Sequence, residues 1–586
     1  MSDKKKNIKR QNISQLILGL AIIIFLNVIA SFYFTRFDLT SEKRYTLSKA
    51  TKSLLENLDD IVYFKIYLDG DFPAGFKRLR KETKEMLDEF RAYNKNIQYE
   101  FINPSESADK ATRNKLYQQL ISSGLQPTSL QSDKNDVRSR QIVFPGAIVS
   151  YKIKELPLQL LQTQMGMPAE AQINSSVQAL EYNLANIIKK ITVLTKPKIA
   201  FIKGHGELSD IETADISQAL SEYYNVENVT IDESINSLTE HKEVDSVRTI
   251  IKNKYEAIII AKPDSFFSEK DKFVIDQFIM KGGKVLWLID PVFASMDSLQ
   301  KKSVTYGFAI NLNLEDQLFK YGVRLNTNLV QDISCIGIPI NTQPLGSKPQ
   351  FEFFPWLYSP VIFPYIDIKH PIVANLNAIK SEFISSIDTV GAKGINKTPL
   401  LYTSKYSRTV NTPVRIGLDL LGEKPDERQF VNPYQLVAVL LEGEFESVFK
   451  NRMTPEIKDA QSIGFQEQGV NTKMIVISDG DIIRNQIQFS QGKIQPYPLG
   501  LDKYSGKQYG NKDFILNAVN FLCDNSGLIS VRSREIKIRL LDRTKVENSK
   551  FFWQIINTII PIILIVILGL IFYVLRKRKY VKNSLQ

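Results

Sequence analysis

Two loops hold the residues best suited to chemistry. Gly204-His205-Gly206-Glu207 follows the apolar run Lys198 to Ile202, and Ser478-Asp479-Gly480-Asp481 follows Met474 to Ile477. A histidine beside a carboxylate can serve as a general base or a metal ligand. Two aspartates ending a buried strand can hold a hard divalent cation. Each set also has a plain structural reading: a glycine-flanked turn whose histidine satisfies nearby backbone groups, and an Asp-Gly turn. The remaining histidines, His241 and His370, stand far away, and no cysteine lies near His205 in sequence to complete a metal site. Gly204, His205, Gly206, Glu207, Asp479 and Asp481 are therefore expected as ligand or partner loops, with no catalytic, cofactor or metal residue assigned.

Two further stretches imitate nucleotide motifs. Gly204 to Ser209 has the spacing of a dinucleotide fingerprint, but Ser209 replaces its third glycine and Glu207 sets negative charge where a pyrophosphate would lie. Gly391 to Thr398 misses the phosphate-cradling loop by one residue, Asn396 standing where the second glycine belongs. It is expected as a surface loop, and no cofactor is expected.

The elements that must position these loops are most regular after Lys198. The pattern predicts strands at Lys198 to Ile202, Val226 to Ile231, Ala257 to Ile260 and Lys284 to Ile289, with helices from Asp210 to Tyr224 and from Ser268 to Met280. Such alternation specifies a parallel sheet covered on both faces, which binds ligands at the carboxyl ends of its strands. Leu436 to Leu441 and Met474 to Ile477 read as further buried strands, and Asp513 to Cys523 as a helix. Val531 to Leu540 reads as a strand leading to the second span. Upstream, a helix from Lys49, strand Ile61 to Leu68, helix Phe76 to Tyr93, strand Ile97 to Ile102, a helix from Asp109 to Ser122 and strands over Gln141 to Leu156 follow a thioredoxin-like order. That segment lacks a paired-cysteine motif and would be redox-dead. Cys335 and Cys523 are the only cysteines, and a bridge between them is left open.

Both ends of the chain are apolar and flanked by charge. Phe551 to Leu575 is uncharged between Lys550 and Arg576, long enough at 1.5 Å per residue to cross a hydrocarbon core of roughly 30 Å. Gln11 to Thr35 is equally long and uncharged. A retained anchor is expected there over a cleaved signal peptide, for which Val28-Ile29-Ala30 is an acceptable cleavage site. Asn27, Gln554 and Asn557 are polar residues within the spans and are candidate contacts to a partner helix. The basic N-terminal tail favours N-in, whereas Lys and Arg between Arg532 and Lys550 outnumber those after the second span.

The fold expected is α/β: two transmembrane helices flanking a large ectodomain with a redox-dead thioredoxin-like segment and a parallel-sheet α/β domain. The expected divisions are a cytoplasmic tail (1–12), a span (13–35), the thioredoxin-like domain (36–190), the parallel-sheet domain (191–335), a loop-rich segment (336–470), strands and a helix completing the body (471–550), a span (551–575) and a cytoplasmic tail (576–586). The tails, +4 over Met1 to Arg10 and +5 over Arg576 to Gln586, carry most of the net charge of +12. The body is therefore too weakly basic to argue for nucleic-acid binding.

GHGE at 204–207, KP at 262–263, FIMKGGKVLWLIDP at 278–291, YGVRLN at 321–326, LVQD at 329–332 and ISDGDIIRN at 477–485 occur in an order that resembles the GldG family. DLTSEKRYTLS at 38–48 and the flanking spans extend the likeness over nearly the whole chain. The resemblance implies a non-enzymatic auxiliary subunit of an ABC transporter linked to gliding motility. It would be multi-pass in the inner membrane with a large periplasmic domain, partnered by a GldF-like permease and a GldA-like ATPase. The competing expectation is a membrane-anchored extracytoplasmic hydrolase or ligand-binding enzyme using the His205 and Asp479 loops. In such an enzyme His205, Glu207, Asp479 and Asp481 should converge in one pocket.

Overall fold

The computed structural model describes residues 2–32, 46–107, 109–134, 137–163, 167–193, 195–243, 249–343, 350–364, 368–422, 425–454, 463–490, 492–533 and 543–582. It divides into two units, Met1–Glu535 and Ile536–Gln586. The second unit holds the helices Arg543–Asn548 and Lys550–Lys582. Lys550–Arg578 is long and apolar enough to cross a membrane, whereas the apolar stretch Ile13–Val28 within helix Ser2–Phe32 is shorter. Asn27 donates its side-chain amide to Ile23 O of its own helix at 3.0 Å; Gln554 and Asn557 are exposed.

The first sheet of the body has four strands in the order Ile97–Phe101, Val62–Ile66, Gly146–Tyr151, Lys154–Gln159. The first two run parallel and the later two pair antiparallel. Ser48 caps the helix Lys49–Glu56 by accepting from Thr51 N, and Asp109 caps Lys110–Ser122, as their residue types favour. Helices Ala169–Gln178 and Leu180–Thr192 add Ile173, Leu184 and Ile188 to this core.

The second sheet has seven strands: Ile395–Tyr402, Leu436–Glu446, Gln468–Ile477, Lys284–Leu288, Ala257–Ala261, Lys198–Lys203 and Asn225–Thr230. The last five are mutually parallel and the first two join antiparallel. Period-two alternation splits each inner strand between two apolar layers. Phe201, Ile259, Leu286 and Ile475 meet helices Ala214–Ser221 and Asn511–Cys523 on one face. Ile202, Ile258, Trp287 and Val476 meet Glu269–Met280 and Glu315–Tyr321 on the other. Ser268 starts helix Glu269–Met280 by accepting from Asp271 N. Gly282 (φ +85) ends it, with Gly283 N donating to Phe278 O and Gly282 N to Ile279 O, both at 2.9 Å. This is a Schellman stop, and its left-handed position favours glycine.

Three expectations differ from the structure. The stretch 336–470, read as loop-rich apart from the strand at Leu436 to Leu441, also contributes the main-sheet strand Ile395–Tyr402 and the antiparallel pair Cys335–Asn341 and Phe351–Ile362. Within it, Ile395 to Thr398 belongs to an edge strand rather than to a surface loop; its pairing with Leu436–Glu446, remote in sequence, decides this. Where Val531–Leu540 was read as a strand, a 3₁₀ turn occupies Leu528–Ser533, and Ile536, Ile538 and Leu540 lie outside the described residues.

Candidate functional site

The site lies at the carboxyl ends of the parallel strands. Ala261 pairs with Leu288, and Leu288 with Ile477, so the chain leaves three neighbouring strands side by side. Lys262, Asp290 and Asp479 are the polar residues delivered there. Lys262 donates its backbone N–H to Leu288 O at 2.8 Å and adopts a left-handed backbone, φ +54. A lysine costs energy in that conformation, so its surroundings must impose it. Gly480 supplies part of the reason: a Cβ there would stand 2.5 Å from Lys262 Cβ.

The Lys262 ammonium donates to Asp290 Oδ2 at 3.0 Å and to Asp481 Oδ2. Asp290 Oδ1 accepts from Gly480 N. Asp479 is fully buried; it accepts from Glu382 N at 3.0 Å and from Asp481 N at 2.7 Å. Arg484 donates to Glu212 at 2.9 Å and stands 3.5 Å from Asp481 Oδ1.

Electrostatics follow from burial. Burial opposes charge on Lys262, but Asp290 and Asp481 outweigh it and raise the ammonium's pKa. Asp479 is pushed well above the usual carboxylate range by burial and by Asp290 and Asp481. Burial also raises Asp290 against the pull of Lys262, and burial with Asp481 raises Glu382. A cleft of about 490 Å³ opens above this floor, lined by Lys262, Glu382, Asp481, Arg484, Phe489 and Tyr504 among others.

His205 and Glu207 do not line that cleft. The His205 ring is buried, with Nδ1 3.3 Å from Glu207 Oε1 and Nε2 3.2 Å from Asp271 Oδ2, and it stacks on Phe267 at 3.7 Å. Burial lowers its pKa, yet the two carboxylates prevail and raise it overall. Gly204 and Gly206 bracket it at positive φ, and its carbonyl accepts from Asp264 N and Ser265 N. This set clamps the first strand's loop to the start of helix Glu269–Met280.

The structure thus joins Asp479 and Asp481 to Lys262, Asp290, Glu382 and Arg484, and gives His205 its own partners, Glu207 and Asp271. Among the described residues, no group of three or more His, Cys, Asp or Glu side chains is arranged to hold a metal ion. Lys262, Asp290 and Arg484 were within reach of the sequence, since the first two follow predicted strands and the third lies three residues beyond Asp481. Glu382 carried no local signal.

An anchored α/β body with a charged cleft at its sheet edge is the class these features define. A family profile described as "ABC-type uncharacterized transport system" matches residues 196–518, more than half of the chain, and the chain belongs to that family of transport-system auxiliary proteins. Residues 41–150 match a domain of unknown function. An uncharacterized protein of Borreliella burgdorferi (strain ATCC 35210 / DSM 4680 / CIP 102532 / B31) is 21% identical over 590 residues, covering 97% of this chain and 99% of that protein. A solved structure titled mmIFT52 N-terminal domain covers 58% of this chain and 100% of its own at 11% identity; its TM-score of 0.29 carries no argument.

Replacing the central ammonium tests the floor. Lys262→Met should lower unfolding free energy by about 3–5 kcal/mol near neutral pH, because it strands buried carboxylates. The deficit should shrink as the pH falls and those carboxyls, already raised, take up protons. Denaturant melts across pH read both.

Proposed function

We propose that this chain is a non-enzymatic, membrane-anchored auxiliary subunit of an ABC transporter of the GldG type, linked to gliding motility. It spans the inner membrane twice, holds its body in the periplasm, and works with a GldF-like permease and a GldA-like ATPase. The observation that carries this reading is the family match over 196–518 in a chain that also has a membrane-length helix at Lys550–Arg578. The uncharged stretch before Arg36 supports a second span. The four-stranded mixed sheet and the position of both cysteines beyond residue 190 support a redox-inert thioredoxin-like scaffold. Burial pushes both thiols up to about 12, far from a reactive thiolate.

A hydrolase built on the His205 and Asp479 loops is the weaker reading, because His205 and Asp481 have different partners. ATP binding by this chain is likewise disfavoured, since Lys397 lies on a strand rather than on a phosphate loop.

A photo-reactive residue at Asn557, irradiated in intact membranes, should yield an adduct containing an ABC permease. Adducts containing only lipid or a second copy of this chain would refute docking through the spans. For topology, Lys393→Cys in a background lacking Cys335 and Cys523 should react with a membrane-impermeant thiol reagent in intact spheroplasts; Lys393 is exposed. Labelling only after lysis would place the body in the cytoplasm.

A further inference from the structure

His205 is set between two buried carboxylates. Glu207 Oε1 lies 3.3 Å from its Nδ1 and Asp271 Oδ2 lies 3.2 Å from its Nε2, and the two acid side chains are only 2% and 9% exposed. Ionised carboxylates accept and never donate, so both ring nitrogens must carry hydrogen, which only the imidazolium allows. A neutral ring would turn one nitrogen lone pair towards a buried carboxylate oxygen and leave both atoms unmet. Burial opposes the ring's charge, but the two acids outweigh it and raise the pKa. The other charged groups around this loop are engaged with one another. Lys203, on the strand before it, donates to Leu208 O and faces Asp210; Lys270 faces Glu233; Asp264 accepts from Ser265 Oγ.

The histidine loop straddles Lys262. Leu208 N donates to Ala261 O at 3.0 Å, just before that lysine, and His205 O accepts from Asp264 N and Ser265 N, both at 3.0 Å, just after it. Gly206 permits the close approach, since a Cβ there would stand 1.6 Å from Asp264 Oδ1. On the far side of the ring, Asp271 is fixed by accepting from Ser268 Oγ and Glu233 N, each at 2.9 Å. The left-handed backbone of Lys262, φ +54, is therefore held from both sides by bonds that depend on where His205 sits.

We propose that His205 is a pH-sensitive latch: charged, it joins the start of helix Glu269–Met280 to the loop that holds Lys262, and on losing its proton it lets that loop open and loosens the cleft floor. The sign follows from linkage. A base whose pKa is raised on folding contributes stability that is fully present below its unfolded value and is lost as the pH rises through its folded value. The latch is closed at low pH and opens as the pH rises. The proposal is independent of the transporter reading, since it concerns only contacts within the body of this chain.

The test is amide hydrogen exchange on the full-length chain in detergent, read on peptides covering Ala261 to Phe266 between about pH 5.5 and 8.5, the range in which histidine titrates. Rates are corrected for base catalysis of exchange itself. In the wild type, protection of this segment is expected to fall at least about tenfold as the pH rises, because local opening becomes easier. In Glu207→Gln the new amide accepts from His205 N–H and donates to Nδ1, so a neutral ring is satisfied and protection should stay high throughout. This variant keeps the carboxylates around Lys262, so the difference isolates the latch. If Glu207→Gln does not unfold cooperatively, Asp271→Asn takes its place, with the same loss of pH dependence expected. Ring titration is followed by NMR of isotope-labelled histidine, assigned by elimination with His241→Gln and His370→Gln. A midpoint above the ordinary value of about 6.5 is expected for His205. A midpoint at or below that value would overturn the proposal. So would wild-type protection that does not fall with pH, or a fall of equal size in the folded variant.

Discussion

The body's edge site depends on an ammonium held between carboxylates that three adjacent parallel strands bring together. Strand register sets this, because Ala261, Leu288 and Ile477 end level with one another. The next polar residues on each chain must then share one small volume. Buried carboxylates at such spacing repel unless a cation stands among them, and removing that cation would leave uncompensated charge. Lys262 meets the requirement at the cost of a left-handed backbone, and Gly480 admits it by lacking a Cβ. The neutralisation is incomplete: carboxyl pKa values stay raised, and Asp481 Oδ1 makes no hydrogen bond although Arg484 stands 3.5 Å away. Strain and unmet polarity of this kind concentrate at functional sites rather than in inert scaffolds.

Much of this was legible in the sequence where elements are local. Between Lys198 and Asp290 the inner strands Lys198–Lys203, Ala257–Ala261 and Lys284–Leu288 are built on apolar runs, and helix Glu269–Met280 has its own start at Ser268 and stop at Gly282, so short-range chemistry sufficed for them. Asp479 and Asp481 were found for the same reason, since they end a buried strand. Glu382 was not, because only long-range folding brings its backbone N–H to Asp479. Between 336 and 470 the proline-free apolar run Leu436–Leu441 was legible, whereas the pair Cys335–Asn341 and Phe351–Ile362 was hidden by its prolines, which suggest loops. Pro339 sits in the short pair formed by Cys335–Asn341 and Phe351–Ile362, outside the seven-stranded sheet, where a missing donor is tolerated. His205 attracted attention as a rare residue in a strand-end loop, yet its two carboxylates and the Phe267 ring make it a clamp.

The helix Lys550–Lys582 is long and apolar enough to cross a membrane, with exposed apolar side chains along its length and basic residues at its end. The body carries the family match and the charged cleft. Membership of the transport-system family is what connects this architecture to ABC components.

The most direct measurement is purification of the tagged full-length chain from its native membranes in mild detergent, at natural abundance, with every co-eluting protein identified and quantified. A polytopic ABC permease and its ATPase are expected in fixed ratio to the chain through successive columns. Elution of the chain alone, with permease and ATPase assembled together in separate fractions, would contradict this.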